Sequence, residues 1–185
     1  WMNNQLYMNS IKQFIPAPVK QILRSTVNEI KHRGYMKGQN SKGVRKINIG
    51  SGADRLPGFL NIDIDEATGA DIVRDIEKGL PFDDASVDEI HCAHTLEHIK
   101  DLMFVLREFY RVSKPGAKIT IVVPLMDASD ITHVRFFTKD TFRTLVEEQY
   151  WKSPYYYVGK YKQLSTSFRQ LSTCEEMTIS LEVLK

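Results

Sequence analysis

Two short runs of β-forming residues, joined by a turn that contains two glycines, constrain this chain more than any other feature of its sequence. The first run covers 45–50 and the second covers 59–64, with Gly50-Ser51-Gly52 between them. Glycine adopts positive φ readily and lets the backbone approach a ligand closely. The second run ends in carboxylates, Asp63 and Asp65, and an acidic side chain at the end of such a strand can accept both hydroxyl protons of a ribose. The turn and the carboxylates together predict a nucleoside-binding site.

Runs of β type alternate with helical runs along most of the chain after residue 44. Strands are predicted at 45–50, 59–64, 71–73, 87–92 and 117–123, and helices at about 99–112 and 138–149. Such alternation is typical of a parallel sheet with helices on its faces. Two further β-like runs, Tyr155–Tyr161 and Met177–Leu184, predict a long-looped antiparallel pair at the sheet edge. The predicted fold is α/β and Rossmann-like, with a mostly parallel sheet, an antiparallel C-terminal edge and an N-terminal helix.

The N-terminal segment differs in charge from the rest of the chain. Nine of the 25 Lys and Arg residues, but only one of the 23 acidic residues, lie within 1–46, so the remainder is net acidic. Apolar residues recur at helical spacing between Val19 and Ile30, which predicts a basic amphipathic helix. We therefore divide the chain into a basic arm at 1–43 and a globular domain at 44–185. The arm either packs its apolar stripe on the domain or contacts an anionic membrane surface or anionic substrate.

The composition is ordinary for a soluble globular protein, with 42% hydrophobic and 26% charged residues. The sequence shows neither an apolar run long enough to cross a membrane nor an apolar signal-peptide core. Cys92 and Cys174 lack the spacing of a metal or redox motif, which predicts free thiols in a reducing compartment. We expect a cytoplasmic protein. The acidic domain argues against a nucleic-acid partner, and the sequence leaves the oligomeric state open.

Five ordered motifs extend the pattern from Val44 to Val123. They are Ile47–Gly52, Asn61-Ile62-Asp63, Asp75 before Leu80-Pro81-Phe82, Thr95-Leu96-Glu97-His98, and Arg111-Val112-Ser113-Lys114-Pro115-Gly116. Together they resemble the class I S-adenosylmethionine-dependent methyltransferases, most closely the small type 11 branch. The third glycine of that family's turn is absent, since Ala53 or Asp54 stands in its place. The resemblance implies methyl transfer with S-adenosylmethionine as cofactor.

The resemblance also implies how the first two strands hold the cofactor. Gly50, Ser51 and Gly52 would pass under its methionine part, with backbone amides near the carboxylate. Asp63 would hold the ribose hydroxyls. Asp65 is the alternative for this role, because the end of a strand cannot be fixed within two residues from sequence.

Later segments would complete the cofactor site. Asp75, with its neighbour Ile76, would frame the adenine, although Asp75 could instead be a surface carboxylate in an acidic loop. Ala93 and His94, which leave the fourth strand, would line the sulfonium end of the cofactor.

Methyl transfer from a sulfonium requires chiefly alignment and exclusion of water. A hydroxyl acceptor would also benefit from a general base, and histidine is the residue type suited to that role near neutral pH. His133, in the polar loop after the fifth strand, is the first candidate for a catalytic residue, followed by His94 and His98. A role in hydrogen bonding alone stays open for each. We expect a small-molecule acceptor, and the resemblance points toward a sugar or a polysaccharide or lipid-linked intermediate.

Three other functions are alternatives to methyl transfer. His94-Thr95-Leu96-Glu97-His98 matches the H-x-x-E-H pattern of inverted zinc peptidases, but it follows a β-strand and lacks a downstream third ligand, so no metal centre is predicted. A dinucleotide-dependent oxidoreductase would need a third glycine near position 55, where Arg55 stands. A non-catalytic partner or regulatory protein that binds S-adenosylmethionine stays open, because the binding motifs do not by themselves require turnover.

Overall fold

The computed structural model describes Pro16 and residues 45–185. The predicted helix of the basic arm at 1–43 lies outside the described residues and stays a prediction. Within the described part of the chain, no helix is both long and apolar enough to cross a membrane.

Seven strands form one sheet in the order β3-β2-β1-β4-β5-β7-β6. The pairs formed among β1 to β5 are all parallel. The strand β7 runs antiparallel to both β5 and β6. The strands are β1 (Lys46–Ile49), β2 (Leu60–Asp63), β3 (Ile72–Val73), β4 (Val87–Ala93), β5 (Ser113–Leu125), β6 (Tyr161–Gln170) and β7 (Glu175–Val183). The predicted α/β sheet with an antiparallel C-terminal edge is thereby confirmed.

One long helix, α1 (Leu102–Val112), connects β4 to β5. Asp101 begins it, because its carboxylate accepts a hydrogen bond from the backbone N–H of Phe104 at 2.9 Å and so satisfies a free amide of the first turn. The apolar face of α1 is buried through Leu102, Val105, Leu106, Phe109 and Val112. The single helix predicted at 138–149 is instead two short helices, α2 (Arg143–Val146) and α3 (Glu148–Trp151).

The C-terminal edge differs from the predicted pair in position. The strand β6 begins only at Tyr161, and the tyrosine run 155–157 precedes it as exposed, non-strand chain. A tight loop over 171–174 then leads into β7, so the two strands form a hairpin rather than a long-looped pair. The residues of β6 after Tyr161 are nearly all exposed. An edge strand without a buried face lacks the apolar alternation by which strands are recognised.

The connections around β1, β2 and β3 contain no α-helix in the described residues. Residues 50–59 form turns between β1 and β2, and the next two connections contain only the single-turn 3₁₀ helices Glu66–Thr68 and Ile76–Lys78. The strands themselves are well buried, with Ile47, Ile49, Ile62 and Ile90 inaccessible to solvent. The short connections leave an open edge at the carboxyl ends of β1, β2 and β4, where ligands bind in parallel sheets.

Candidate active site

A cavity of about 360 Å³ opens at the carboxyl ends of β1, β2 and β4. It is lined by Gly50, Gly52, Ile62, Asp63, Ile64, Arg74, Asp75, Ile76, Glu77, His94, Thr95, His98 and Ile99. Six of the predicted cofactor contacts, namely Gly50, Gly52, Asp63, Asp75, Ile76 and His94, therefore face one space, although they are spread over 45 positions of sequence.

The glycine turn after β1 forms the floor of the cavity. Gly50 has φ +64° and Gly52 has φ +51°, in the left-handed region that side chains rarely adopt. A Cβ atom at Gly50 would lie only 1.9 Å from Oγ1 of Thr95, so glycine is required there by packing as well as by backbone conformation. At Gly52 a Cβ atom would meet nothing within 4 Å. The two glycines thus have different reasons to be present.

Two backbone amides hold the Asp63 side chain in place, one from the turn after β1 and one from the residues after β2. Its Oδ2 accepts from the N–H of Gly52 at 2.7 Å, and its Oδ1 accepts from the N–H of Asp65 at 2.9 Å. The Asp65 side chain instead begins the adjoining 3₁₀ helix, where it accepts from the N–H of Ala67, and it does not line the cavity. Of the two carboxylates considered for the ribose, only Asp63 faces the cavity.

Asp75 and Ile76 lie across the cavity from the glycine turn. Asp75 begins the 3₁₀ helix Ile76–Lys78 by accepting from the N–H of Glu77 at 3.0 Å, and its other oxygen lies 3.2 Å from Nζ of Lys78. Ile76 is buried and contributes an apolar wall. Asp75 thus combines a local structural role with a place on the cavity.

Ser51 and Ala93 do not line the cavity, although both were predicted cofactor contacts. Ser51 is buried within the turn, and its N–H donates to the carbonyl of Ile62 at 3.1 Å. The carbonyl of Ala93 accepts from Oγ1 of Thr95 at 2.9 Å. Both residues support neighbours that face the cavity.

His94 leaves β4 with φ +47°, a conformation uncommon for a residue other than glycine. Its Nε2 lies 2.7 Å from Oε2 of Glu176 on β7, and its Nδ1 lies 3.6 Å from Oε1 of Glu97. Glu97, opposed by partial burial, and Glu176 raise the pKa of His94 above its ordinary value of 6.5. Because both ring nitrogens of His94 are directed at carboxylates of the protein, neither faces an acceptor, and this geometry disfavours a general-base role for His94.

The inverted zinc-peptidase arrangement is not formed. Residues Leu96–His98 make only a single turn of 3₁₀ helix, and His94 lies before that turn with its ring directed to Glu176. His94 and His98 therefore do not share the face of an α-helix, as the two histidine ligands of that motif must.

The other two histidines predicted as candidate catalytic residues are in contact with each other. The ring of His98, on the cavity wall, contacts the ring of His133 edge-on, with centroids 4.9 Å apart. His133 belongs to the post-β5 loop (126–136), whose base is closed by a bridge between Leu125 and Phe137. Sequence alone could not place these histidines together, because 34 residues separate them.

The post-β5 loop is fastened to the segment that follows β4. The N–H of Val134 donates to the carbonyl of Glu97 at 3.0 Å, and Nη2 of Arg135 donates to the carbonyl of Lys100 at 2.8 Å. Arg135 thus directs this nitrogen to the backbone. Its main observed role is to fix the loop.

Sequence reasoning missed six residues that line the cavity: Ile62, Ile64, Arg74, Glu77, Thr95 and Ile99. Thr95 belongs to the motif Thr95-Leu96-Glu97-His98, and this motif was the sequence signal that could have identified it as a cavity residue. Arg74 donates to the carbonyls of Gly79 and Lys78, and Glu77 accepts from the N–H of Asp101. These bonds fasten the short loops that form the cavity wall, and no local pattern predicts them.

Comparison with known proteins supports the assignment that the cavity suggests. Residues 38–121 match the family model described as a methyltransferase domain. No curated protein sequence matches the chain.

Solved structures of low sequence identity share the fold. An S-adenosylmethionine-dependent methyltransferase from Archaeoglobus fulgidus is 16% identical, with a TM-score of 0.58, 84% of this chain and 94% of that chain being covered. A Thermotoga maritima protein described as a possible histamine N-methyltransferase is 18% identical, with a TM-score of 0.54 and coverage of 77% and 83%. The 1,6-didemethyltoxoflavin-N1-methyltransferase of Burkholderia thailandensis, with S-adenosylhomocysteine bound, is 11% identical, with a TM-score of 0.56 and coverage of 92% and 91%.

The family match and the shared fold agree with the glycine turn, Asp63 and the strand order observed here. Residues 38–121 therefore match a methyltransferase domain, and the described residues share the fold of S-adenosylmethionine-dependent methyltransferases, which supports S-adenosylmethionine as the cofactor.

Proposed function

We propose that the protein methylates a small-molecule acceptor that binds where the cofactor cavity meets the post-β5 loop. The observation that carries this proposal is the contact between His98, on the cavity wall, and His133, in the loop. An acceptor held beside His133 would lie next to the cofactor, as a direct transfer requires.

The proposed cofactor contacts follow from the groups that face the cavity. The backbone at Gly50 and Gly52 approaches the methionine part, and Asp75 and Ile76 frame the adenine. Asp63 accepts the ribose hydroxyls. Each oxygen of its carboxylate receives one backbone N–H, and since a carboxylate oxygen accepts about two hydrogen bonds, each retains capacity for a hydroxyl.

The chemistry asked of the chain is mainly positioning. S-adenosylmethionine supplies a methyl group on a sulfonium, which is already electrophilic. Because Nδ1 of His133 lies 2.9 Å from the carbonyl of Asp127, which can only accept, Nδ1 is the donor, and in the neutral ring Nε2 has the lone pair. His133 is thereby oriented to hydrogen-bond or deprotonate an acceptor hydroxyl.

A polyhydroxylated acceptor such as a sugar, or a polysaccharide or lipid-linked intermediate, suits the polar side chains of the loop. Asp127, Ser129, Asp130 and Thr132 all carry oxygen atoms that bond hydroxyl groups. A small acceptor is also the kind bound by the Burkholderia thailandensis enzyme, whose structure holds 1,6-didemethyltoxoflavin. The two cysteines are both free and buried, which supports the proposed cytoplasmic location.

The cofactor assignment is tested by calorimetric titration of the full chain with S-adenosylmethionine and S-adenosylhomocysteine. Asp63→Ala should weaken binding by about 1 to 3 kcal/mol, the scale of a lost charged hydrogen-bond partner. Asp65→Ala is the matched control and should leave the affinity unchanged, because this side chain faces away from the cavity. Equal affinities for wild type and Asp63→Ala would refute the ribose assignment.

The acceptor assignment needs a separate assay. Formation of S-adenosylhomocysteine is followed in the presence of sugars and of other small hydroxylated or amino compounds. Turnover with one of them, lost in His133→Gln at unchanged cofactor affinity, supports the proposed acceptor site. Cofactor binding without turnover on any small acceptor would favour the non-catalytic binding partner.

A further inference from the structure

We propose that Glu97, His98 and His133 bind a divalent transition-metal ion, with Zn²⁺ the best fit, at the opening of the cofactor cavity. One ligand atom from each of the three side chains lies within 4.8 Å of the other two. The cluster joins the turn after β4 to the post-β5 loop, and no motif of the sequence links the three residues.

The first observation that supports a metal site is a buried oxygen atom of Glu97 that lacks a hydrogen-bond partner. Its side chain is only 2% exposed, and among the described residues no group donates a hydrogen bond to Oε2. The nearest cationic group, Nδ1 of His94, lies 3.6 Å from the other oxygen, which is beyond hydrogen-bond distance. A buried carboxylate oxygen without a partner is costly, and a metal ion bound to Oε2 would reduce that cost, while Oε1 keeps its ion pair with His94.

The two histidines are oriented in the manner of metal ligands. Nδ1 of His133 lies 2.9 Å from the carbonyl of Asp127, and Nδ1 of His98 lies 3.3 Å from the carbonyl of Thr132. The Thr132 hydroxyl donates to Asp130 at 2.6 Å, so it can only accept from Nδ1 of His98, 3.1 Å away.

Both Nδ1 atoms are therefore donors, and in the neutral rings that bind metals both Nε2 atoms supply the lone pair. Metal-binding histidines characteristically donate their other N–H to a carbonyl or carboxylate, which fixes the tautomer and the ring orientation. His98 and His133 both have this arrangement, and both use carbonyls of the same loop.

The ligand set selects the ion. Two imidazoles and one carboxylate suit Zn²⁺ and its first-row neighbours, whereas Mg²⁺ and Ca²⁺ prefer oxygen atoms alone. Zinc–ligand bonds of about 2.0–2.2 Å imply ligand atoms roughly 3.4 Å apart in a tetrahedral site. The ligand atoms, within 4.8 Å of one another, must therefore approach by up to about 1.4 Å, and the exposed ring of His98 can move without repacking the core.

Three protein ligands leave a fourth position open, as in catalytic zinc sites. The role of that position rests on the proposed function: it would hold the acceptor oxygen. Because the Nε2 lone pair of His133 would then be bound to the metal and could not act as a base, the coordinated hydroxyl would release its proton to solvent, and an oxygen lone pair would form the bond to the methyl carbon. The electron pair of the broken S–CH₃ bond would stay on sulfur, giving S-adenosylhomocysteine.

The site is tested on the full chain after removal of metals with a chelator. Co²⁺ is titrated as a spectroscopic probe, followed by competition with Zn²⁺. We expect one Co²⁺ per chain, a visible absorption band of tetrahedral or five-coordinate type, and displacement by Zn²⁺. Glu97→Gln, His98→Asn and His133→Gln should each lower the Zn²⁺ affinity by at least about 10-fold, since even outer-shell changes have effects of 10- to 100-fold.

His91→Gln is the matched control, because His91 lies in β4 and outside the cluster; it should bind Zn²⁺ like the wild type. If Glu97→Gln does not fold, the Zn²⁺ affinity of His98→Asn decides whether the site exists, because His98 is exposed and its substitution does not disturb the core. No visible band at millimolar Co²⁺, or Zn²⁺ affinity unaffected by His98→Asn and His133→Gln, overturns the proposal. Cofactor titration on the same samples keeps the two proposals separate, because S-adenosylmethionine binding without Zn²⁺ binding refutes the metal site alone.

Discussion

The substitution Gly50→Ala tests how closely the turn after β1 packs against Thr95. The new methyl group would lie 1.9 Å from Oγ1, 2.7 Å from Cγ2 and 2.8 Å from Cβ of Thr95, all closer than atoms can approach without displacement. The backbone at φ +64° adds a conformational penalty. A left-handed residue with a Cβ atom loses about 1 to 2 kcal/mol, and overpacking adds about 1 to 3 kcal/mol. The free energy of unfolding should therefore fall by about 2 to 5 kcal/mol.

Gly52→Ala provides the comparison that separates the two effects. Its φ of +51° is similar, but a Cβ atom there would meet nothing within 4 Å. It should lose only the conformational term of about 1 to 2 kcal/mol. The difference between the two variants then measures the contact with Thr95 alone.

Urea unfolding at constant m-value is the assay. Thr95→Ala removes Oγ1 and Cγ2, two of the three atoms in conflict, so the double variant Gly50→Ala/Thr95→Ala should be less destabilised than the sum of its parts by about 0.5 to 3 kcal/mol. Equal losses in Gly50→Ala and Gly52→Ala, or additive effects in the cycle, would refute the proposed packing.

Two further predictions concern charged groups. The NMR titration of His94 should have its midpoint above 6.5 and move downward in Glu176→Gln, because the carboxylate stabilises the imidazolium; an unchanged midpoint would contradict the pairing. Since the folded pKa of His94 is raised, its contribution to the free energy of unfolding is complete below pH 6.5 and is lost as the pH rises through the folded value. Arg111→Ala should destabilise the domain by about 2 kcal/mol in urea unfolding, because this guanidinium bonds two carboxylates and two carbonyls. Arg143→Ala, whose ion pair with Glu147 lies on the surface, is its control and should cause no measurable loss, so similar losses in both arginine variants would contradict this account.

The parallel half of the fold could be predicted from sequence because its strands are buried on both faces. Ile47, Ile49 and Ile62 form the β-branched runs that mark such strands. The end of β5 could not be predicted from sequence in the same way. Pro124 and Leu125 pair with β7, which extends the strand beyond the run predicted at 117–123. This extension depends on a partner strand about 50 residues away, which local pattern does not report.

The candidate site divides in the same way. Gly50, Gly52 and Asp63 lie at strand ends, where the strand pattern itself fixes their position, and all three face the cavity. Thr95 and Ile99 belong to the turn after β4, whose path is set by bonds to distant loops such as that from Val134 to Glu97. Their place in the cavity is a tertiary property.

The fastening of the post-β5 loop has a consequence for recognition. Its base is closed at Leu125 and Phe137, and Val134 and Arg135 bond the turn after β4. Ordering a backbone residue opposes folding by about 1 to 2 kcal/mol, and here that entropy is lost when the chain folds rather than when an acceptor arrives. A wall that is already ordered favours tight binding of a molecule that fits it. The same wall would offer little adaptation to a molecule that does not, so under the proposed function we expect shape, more than loop closure, to discriminate between acceptors.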